Sequence, residues 1–359
     1  MTIAELVDGI VGVDTHRDTL AAAAVNALGV VLAEEQVSAD EAGYRRLLAF
    51  GRLQIPARRR RALEGTGSFG AGLSAYLTAN GEQVVEVCRL KRPAQRGGRR
   101  TDALDAIRAA REAAVVEHPI APRARGEREA LRVLMATRRG GVVAKTAAIN
   151  HLKALIITAP ESLRAEVRAL GSKAQISYCA KLRGRPAQSL EHRMTARALR
   201  ATAARIQALR TEANELEADI ATLVGALAPQ LLDLPGVGPI SAAQVLICWS
   251  HPGRFRSEAA FAAFSGSSPI PASSGLTNRH RLNRGGDRGL NSALHTIAVV
   301  RARMDPATKT YTARRTQEGK TPREIRRCVK RAIARQLFKS LEHQVPASRS
   351  TSATPSLAA

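Results

Sequence analysis

Apolar residues between positions 9 and 36 come in three short runs, Gly9 to Asp14, Leu20 to Val25 and Gly29 to Leu32, separated by polar turn-formers. That rhythm predicts a three-stranded meander. Beyond it the pattern alternates: a helix over Ala42 to Arg52, a basic strand with an apolar end over Arg58 to Glu64, a helix over Phe69 to Ala79, a strand over Gln83 to Cys88, and a helix over Thr101 to Val116. Strands first, then strands alternating with helices, predict a mixed sheet with helices on its faces.

From Arg123 to Ala228 strand signals vanish. Ile206, Leu209, Ala213, Leu216, Ile220, Leu223 and Leu227 recur at alternating steps of three and four, which keeps one apolar seam along a long helix, with Arg and Glu on the other positions. Such a seam pairs either with a helix of another copy, as a coiled coil, or with a neighbour in its own chain. A third region opens near Pro229 with Leu234-Pro235-Gly236-Val237-Gly238-Pro239-Ile240 and ends in a basic amphipathic helix, Thr321 to Glu342. The tail from Val345 to Ala359 is Ser, Ala, Pro and Thr with one charge, the composition of a disordered segment. No internal repeat is evident.

Charge changes this picture most. The 359 residues carry 55 Lys and Arg against 31 Asp and Glu, a formal net charge of +24, which argues for a polyanionic partner. With 45% hydrophobic residues the chain can fill real cores, and with only 3% aromatics those cores must be aliphatic. Cys88, Cys179, Cys248 and Cys328 are far apart in sequence and form no CxxC pair, so neither a zinc module nor a disulfide framework is expected. No uncharged apolar run of about 18 residues is present and no basic segment precedes the first apolar run, so neither a membrane span nor a signal peptide is expected. A cytoplasmic location fits.

Four carboxylates stand out. Asp14 ends the first strand, Glu64 ends a later strand before Gly65-Thr66-Gly67, and Asp102 and Asp105 sit three apart on one helix face. Strand ends and the next helix start converge on one edge of such a sheet, so the four can meet there, and their repulsion then calls for a cation. Oxygen-only donors select hard ions such as Mg²⁺ or Mn²⁺, and two such ions about 4 Å apart can drive phosphodiester displacement. Each acid also has an ordinary reading: Asp102 as a helix-capping or first-turn acid, Asp105 as a partner of Arg108 or Arg111, Asp14 as a turn residue.

Two loops complete the candidates. Gly236 and Gly238, before a helix over Ser241 to Trp249, can present backbone N–H groups to a DNA phosphate in a helix-hairpin-helix, or simply make a tight turn between helices. Farther on, Ser273-Ser274-Gly275 is followed by Arg279, His280, Arg281, Arg284 and Arg288. A serine on flexible backbone before phosphate-binding arginines can act as a nucleophile, or be no more than a loop residue.

Taken together these segments resemble the DEDD-type insertion-sequence transposases related to the pilin-gene invertase, a family associated with recombination guided by a bridge RNA. The motifs that carry the resemblance are Gly12-Val13-Asp14-Thr15-His16, Leu63-Glu64-Gly65-Thr66-Gly67, Arg100-Thr101-Asp102-Ala103-Leu104-Asp105-Ala106, Leu234-Pro235-Gly236-Val237-Gly238-Pro239, Ser274-Gly275, and Arg279 through Arg288. The last motif, with the arginine and alanine usage, is similar to an actinobacterial branch. Gly266-Ser267-Ser268-Pro269 departs from the Gly-Leu-Ala-Pro or Gly-Val-Ala-Pro of relatives.

The resemblance implies a ribonuclease-H-like (RuvC-like) α/β domain over residues 1–120 and a helical linker with a coiled coil over 121–228. It implies a mainly α transposase domain with a helix-hairpin-helix over 229–344, ahead of a tail over 345–359. It assigns Asp14, Glu64, Asp102 and Asp105 to catalysis and to Mg²⁺ or Mn²⁺, Ser274 to a phosphoserine intermediate, and Gly236, Gly238, Arg279, His280, Arg281, Arg284 and Arg288 to nucleic acid. Donor and target DNA, a noncoding guide RNA and a homo-oligomer, from dimer to tetramer, are the implied partners, and a bacterial nucleoid the implied setting. Two other functions fit the same residues: a metal-dependent nuclease of the Holliday-junction type using only the acids and water, and a nucleic-acid-binding protein without catalysis.

Overall fold

The computed structural model describes residues 7–87, 101–116, 119–272, 280–283 and 285–343. The chain packs as two compact units, one built from residues 1–125 with 249–260, the other from 126–248 with 261–359.

The first unit is the expected mixed sheet. β1 (Gly9–Thr15), β2 (Thr19–Asn26) and β3 (Val31–Ser38) form the meander, followed by α1 (Glu41–Gln54), β4 (Arg59–Glu64), α2 (Ala71–Ala79), β5 (Val84–Val87) and α3 (Asp102–Val115). The sheet order is β3-β2-β1-β4-β5. β1 runs antiparallel to β2 and parallel to β4, and β4 runs parallel to β5. The register pairs Val13 with Leu63, so the carboxyl ends of β1 and β4 lie on one edge of the sheet. β3 extends past the expected end at Leu32 to Ser38 because its later residues alternate half-buried and exposed, a polar edge strand without a continuous apolar run.

Alternation along β1 sorts the two faces. Val11 and Val13 enter one core with Leu47, Leu48 and Phe50 of α1 and Leu73 and Leu77 of α2. Ile10 enters the other, with Ala62, Val85 and Ala109, Ala110 and Ala113 of α3. Gly12 lies on that second face. A Cβ there would sit 2.0 Å from the Ala106 carbonyl oxygen and 2.6 Å from the Ala110 nitrogen, so glycine is what lets α3 lie directly on β1.

β4 is fixed by a buried ion cluster. Glu82 and Arg61 have side chains 2% and 1% exposed, and the Arg61 Nε–H donates to Glu82 Oε2 at 2.7 Å. Arg61 also donates to the Leu47 and Leu48 carbonyls at 3.1 Å, tying β4 to α1, while Arg59 and Arg52 complete the shell around Glu82. Burial pushes the Glu82 carboxyl up, but hydrogen bonds from Arg59, Arg61 and Arg52 outweigh it and hold the pKa at about 2.

The second unit is helical. α4 (Glu127–Ile157), α5 (Glu161–Arg168), α6 (Ser172–Lys181) and α7 (Leu190–Leu227) bury Leu152, Ile156, Leu163, Val167, Cys179, Leu199 and Ile206 together. α7 packs along α4 of the same chain, with Ile206, Ala213 and Ile220 of the seam buried and Arg138 paired to Glu217 at 2.6 Å. After a 3₁₀ turn at Pro229–Leu231 come α8 (Pro239–Trp249), α9 (Glu258–Phe264), the short strands β6 (Ile270–Pro271) and β7 (His280–Arg281), α10 (Arg288–Met304), α11 (Pro306–Gln317) and α12 (Pro322–Glu342). α12 starts where expected, capped by Thr321 and Glu324 acting on each other's backbone N–H. Cys179, Cys248 and Cys328 are free thiols, and among the described residues no helix is long and apolar enough to cross a membrane. Cys88 and the tail from Val345 lie outside the described residues.

Two consequences are measurable. Gly12→Ala forces α3 off β1, and overpacking of this kind costs about 1–3 kcal/mol, read as a lower urea midpoint by circular dichroism. Glu82→Gln strands Arg61 in the core and is expected to cost about 3–5 kcal/mol. The pH profile follows from the same group: its pKa falls from 4.5 to about 2 on folding, so its stabilisation is complete above 4.5 and is lost as pH falls toward 2. That loss should vanish in Glu82→Gln.

Candidate metal centre and nucleic-acid interface

Asp14 stands on the α3 face of β1, one residue from the strand's end, and only 8% of it is exposed. Glu64 ends β4 on the same face, where Thr15 Oγ1 donates to its backbone carbonyl at 2.9 Å and joins the two strand ends. Gly65, at φ +67°, turns the chain away immediately afterwards. α3 supplies the other two acids from its first turn: Thr101 caps the helix by accepting from Leu104 N–H, and Asp102 and Asp105 follow.

The structure draws these residues together unequally. Asp14, His16 and Asp102 each bring one donor atom within 4.8 Å of the others. His16 Nδ1 lies 3.6 Å from Asp14 Oδ2 and 4.0 Å from Asp102 Oδ2. Asp105 instead accepts from Arg108 Nη1 at 2.7 Å, the ordinary pairing that its spacing allowed, while Arg111 donates to the Gly29 carbonyl. Glu64 and Asp105 are not members of the group of three, yet both bear on it electrostatically. Burial pushes the Asp14 carboxyl up, the His16 side opposes this, and the charges of Glu64, Asp102 and Asp105 push it further up. The donor set fits a divalent cation: carboxylate oxygens and an imidazole nitrogen converge on one point, and a cation there would relieve the repulsion that Asp14 suffers.

Two residues received no role from the sequence motifs. His16 is two residues beyond Asp14, and the period of two that places Asp14 on the α3 face places His16 beside it. Glu112, seven residues after Asp105 and hence on the same helix face, is pushed up by burial and by the charge of Glu64.

In the second unit the two loop glycines part ways. Gly236, at φ +74°, lies against α10, where a Cβ would come within 3.2 Å of the Ile297 carbonyl, and Arg301 Nε donates to the Pro235 carbonyl at 2.7 Å. Gly238 is exposed at the start of α8, with no neighbour within 4 Å of a Cβ built on it. His280 and Arg281 are exposed on β7, opposite Pro271 and Ile270, and Arg288 is exposed as the first residue of α10, which Asp287 caps. Ser273, Ser274, Arg279 and Arg284 lie outside the described residues. The departing Ser267 and Ser268 anchor the turn after α9 by donating their N–H groups to the Ala262 carbonyl at 3.0 and 3.3 Å.

Comparison with known proteins bears on both units. A family model described as a transposase, of the DEDD IS110 type, matches residues 11–158, and one described as the transposase IS116/IS110/IS902 family matches residues 228–313. The chain belongs to the IS110 family of transposases. An IS110 relative, the insertion element IS110 uncharacterized 43.6 kDa protein of Streptomyces coelicolor, is 34% identical over 122 residues, which are 33% of this chain and 30% of that protein. The first IS110 model spans Asp14, Glu64, Asp102 and Asp105, and the second spans the Gly236 turn and Ser274.

The crowding at Asp14 has a thermodynamic signature. Mg²⁺ or Mn²⁺ at about 100 times its dissociation constant should stabilise the folded chain by about 2.7 kcal/mol, seen as a higher melting temperature. Asp14→Asn should raise the melting temperature without the ion and abolish the ion's effect.

Proposed function

We propose that this protein is the recombinase of an insertion sequence, cutting and rejoining donor and target DNA through a phosphoserine intermediate under the guidance of a noncoding bridge RNA. The observation that supports it best is the convergence of Asp14 and Asp102, with Glu64 and Asp105 acting on Asp14, at one sheet edge of an IS110-family chain. Asp14, Glu64, Asp102 and Asp105 would hold Mg²⁺ or Mn²⁺. When bound, the ion supplies Lewis acidity to a phosphodiester oxygen.

Ser274 is the proposed nucleophile. Its hydroxyl oxygen bonds to phosphorus and gives up its proton to solvent, while the scissile phosphorus–oxygen bond breaks and the departing sugar oxygen takes up a proton. Attack by a second sugar hydroxyl reverses these steps, so the DNA is rejoined without an external energy source. Arg279, His280, Arg281, Arg284 and Arg288 neutralise phosphate around that serine, and Gly238 offers a backbone N–H at the start of α8. The net charge of +24 grips DNA and RNA without reading sequence, and base pairing to the guide supplies the specificity. A homo-oligomer, up to a tetramer, brings the acids of one subunit to the serine of another.

The test is a denaturing gel with labelled donor and target DNA. The wild-type protein with its guide RNA should leave a covalent protein–DNA adduct, absent in Ser274→Ala. Changes around a metal cost 10- to 100-fold, so loss of a ligand in Asp102→Asn should lower adduct formation by more than about 100-fold while leaving DNA binding intact. Free DNA ends without adduct would establish the water-using nuclease instead. Binding that is unchanged in every variant, with no cleavage, would leave only a nucleic-acid-binding protein.

A further inference from the structure

β1 and β2 are joined by a tight turn in which the His16 N–H donates to the Thr19 carbonyl at 3.0 Å, so the backbone that carries the imidazole is held by the sheet. The side chain reaches Asp14 and Asp102 from the open side of the site and is 52% exposed. At 3.6 and 4.0 Å from the two carboxylates, His16 Nδ1 is too far for a normal hydrogen bond to either. Those separations suit donors that share one ion. With metal–ligand bonds of about 2.1 Å, octahedral neighbours lie about 3 Å apart and opposite ligands about 4.2 Å apart.

We propose that His16 Nδ1 is a direct metal donor alongside Asp14 and Asp102, biasing the centre toward Mn²⁺ over Mg²⁺. The inference rests on the reading of these acids as a divalent-metal site and adds a nitrogen to it. The physical reason is ligand softness. Carboxylate oxygens accept either ion, whereas imidazole is a poor ligand for Mg²⁺ and a good one for first-row transition ions, among which Mn²⁺ also tolerates a mostly oxygen shell. Half-exposed His16 and Asp102 leave the outer side of the ion open to water and phosphate oxygens.

The experiment is pulsed electron paramagnetic resonance on full-length protein loaded with Mn²⁺, paired with displacement of Mn²⁺ by Mg²⁺. Wild type should show the electron spin-echo modulation of a coordinated imidazole nitrogen. His16→Ala and His16→Gln should lose it while still binding Mn²⁺, and should need about tenfold less Mg²⁺ to displace it. Bound Mn²⁺ that depends on Asp14 but carries no nitrogen modulation, or a modulation that survives in both variants, overturns the role of His16 and leaves the acidic site standing. Failure of wild type to bind Mn²⁺, or binding that persists unchanged in Asp14→Asn, overturns the underlying metal reading. Circular dichroism melts of both His16 variants separate ligand loss from misfolding.

Discussion

At Gly12 the backbone of β1 passes directly beneath α3, with the Ala106 carbonyl and the Ala110 nitrogen filling the space that any side chain would need. Asp14 is two residues farther along the strand, and Asp102 is one turn back along the helix from Ala106. The separation of those acids is therefore set where the two backbones touch, and neither carboxylate chooses its own position. Burial of Ala109, Ala110 and Ala113 against Ile10, Ala62 and Val85 supplies the apolar attraction that keeps the helix down despite the like charges gathered at its start. Small residues matter for the same reason: a helix face of alanines is one of the few that can lie this close to a strand.

The positive charge is put to uneven use. Arg52, Arg59 and Arg61 are committed to Glu82 inside the first unit, and Arg301 in the second is spent on the Pro235 carbonyl and on Gln336. Arg61 and Arg301 are structural cations, desolvated and screened from any ligand, whereas Arg52 keeps half its side chain in water. Arg281, Arg288, Arg323, Arg326 and Arg335 are exposed and make up part of the field that an incoming phosphate backbone meets. Net charge thus measures solubility and polyanion attraction only after the interior arginines have been set aside.

Much of this was legible in the residues. β1, β4 and α3 announce themselves by apolar runs and a capped amphipathic pattern, and the acids at their ends are conspicuous because a carboxylate closing an apolar strand needs a reason. Gly12 was not legible: in a strand it reads as a weak point, and its purpose exists only once a helix backbone occupies the missing side chain's place. Gly236 shows the converse. Its neighbours in sequence suggest a phosphate loop, but Ile297 and Arg301, some sixty residues away, take up the space against it. His16, although it closes the first motif, carried no role for a third reason, since a histidine in a turn has no distinguishing chemistry until Asp102 arrives from another segment.

The first unit does not end with the residues that open the chain. Residues 249–260 return to it, and Ser250 Oγ accepts from the Ala124 N–H at 2.8 Å. During synthesis the first unit is therefore completed only after the long helical stretch between has left the ribosome. The same interlacing bears on ancestry: neither unit can be shed or exchanged by a single cut in the gene, so the two are inherited together.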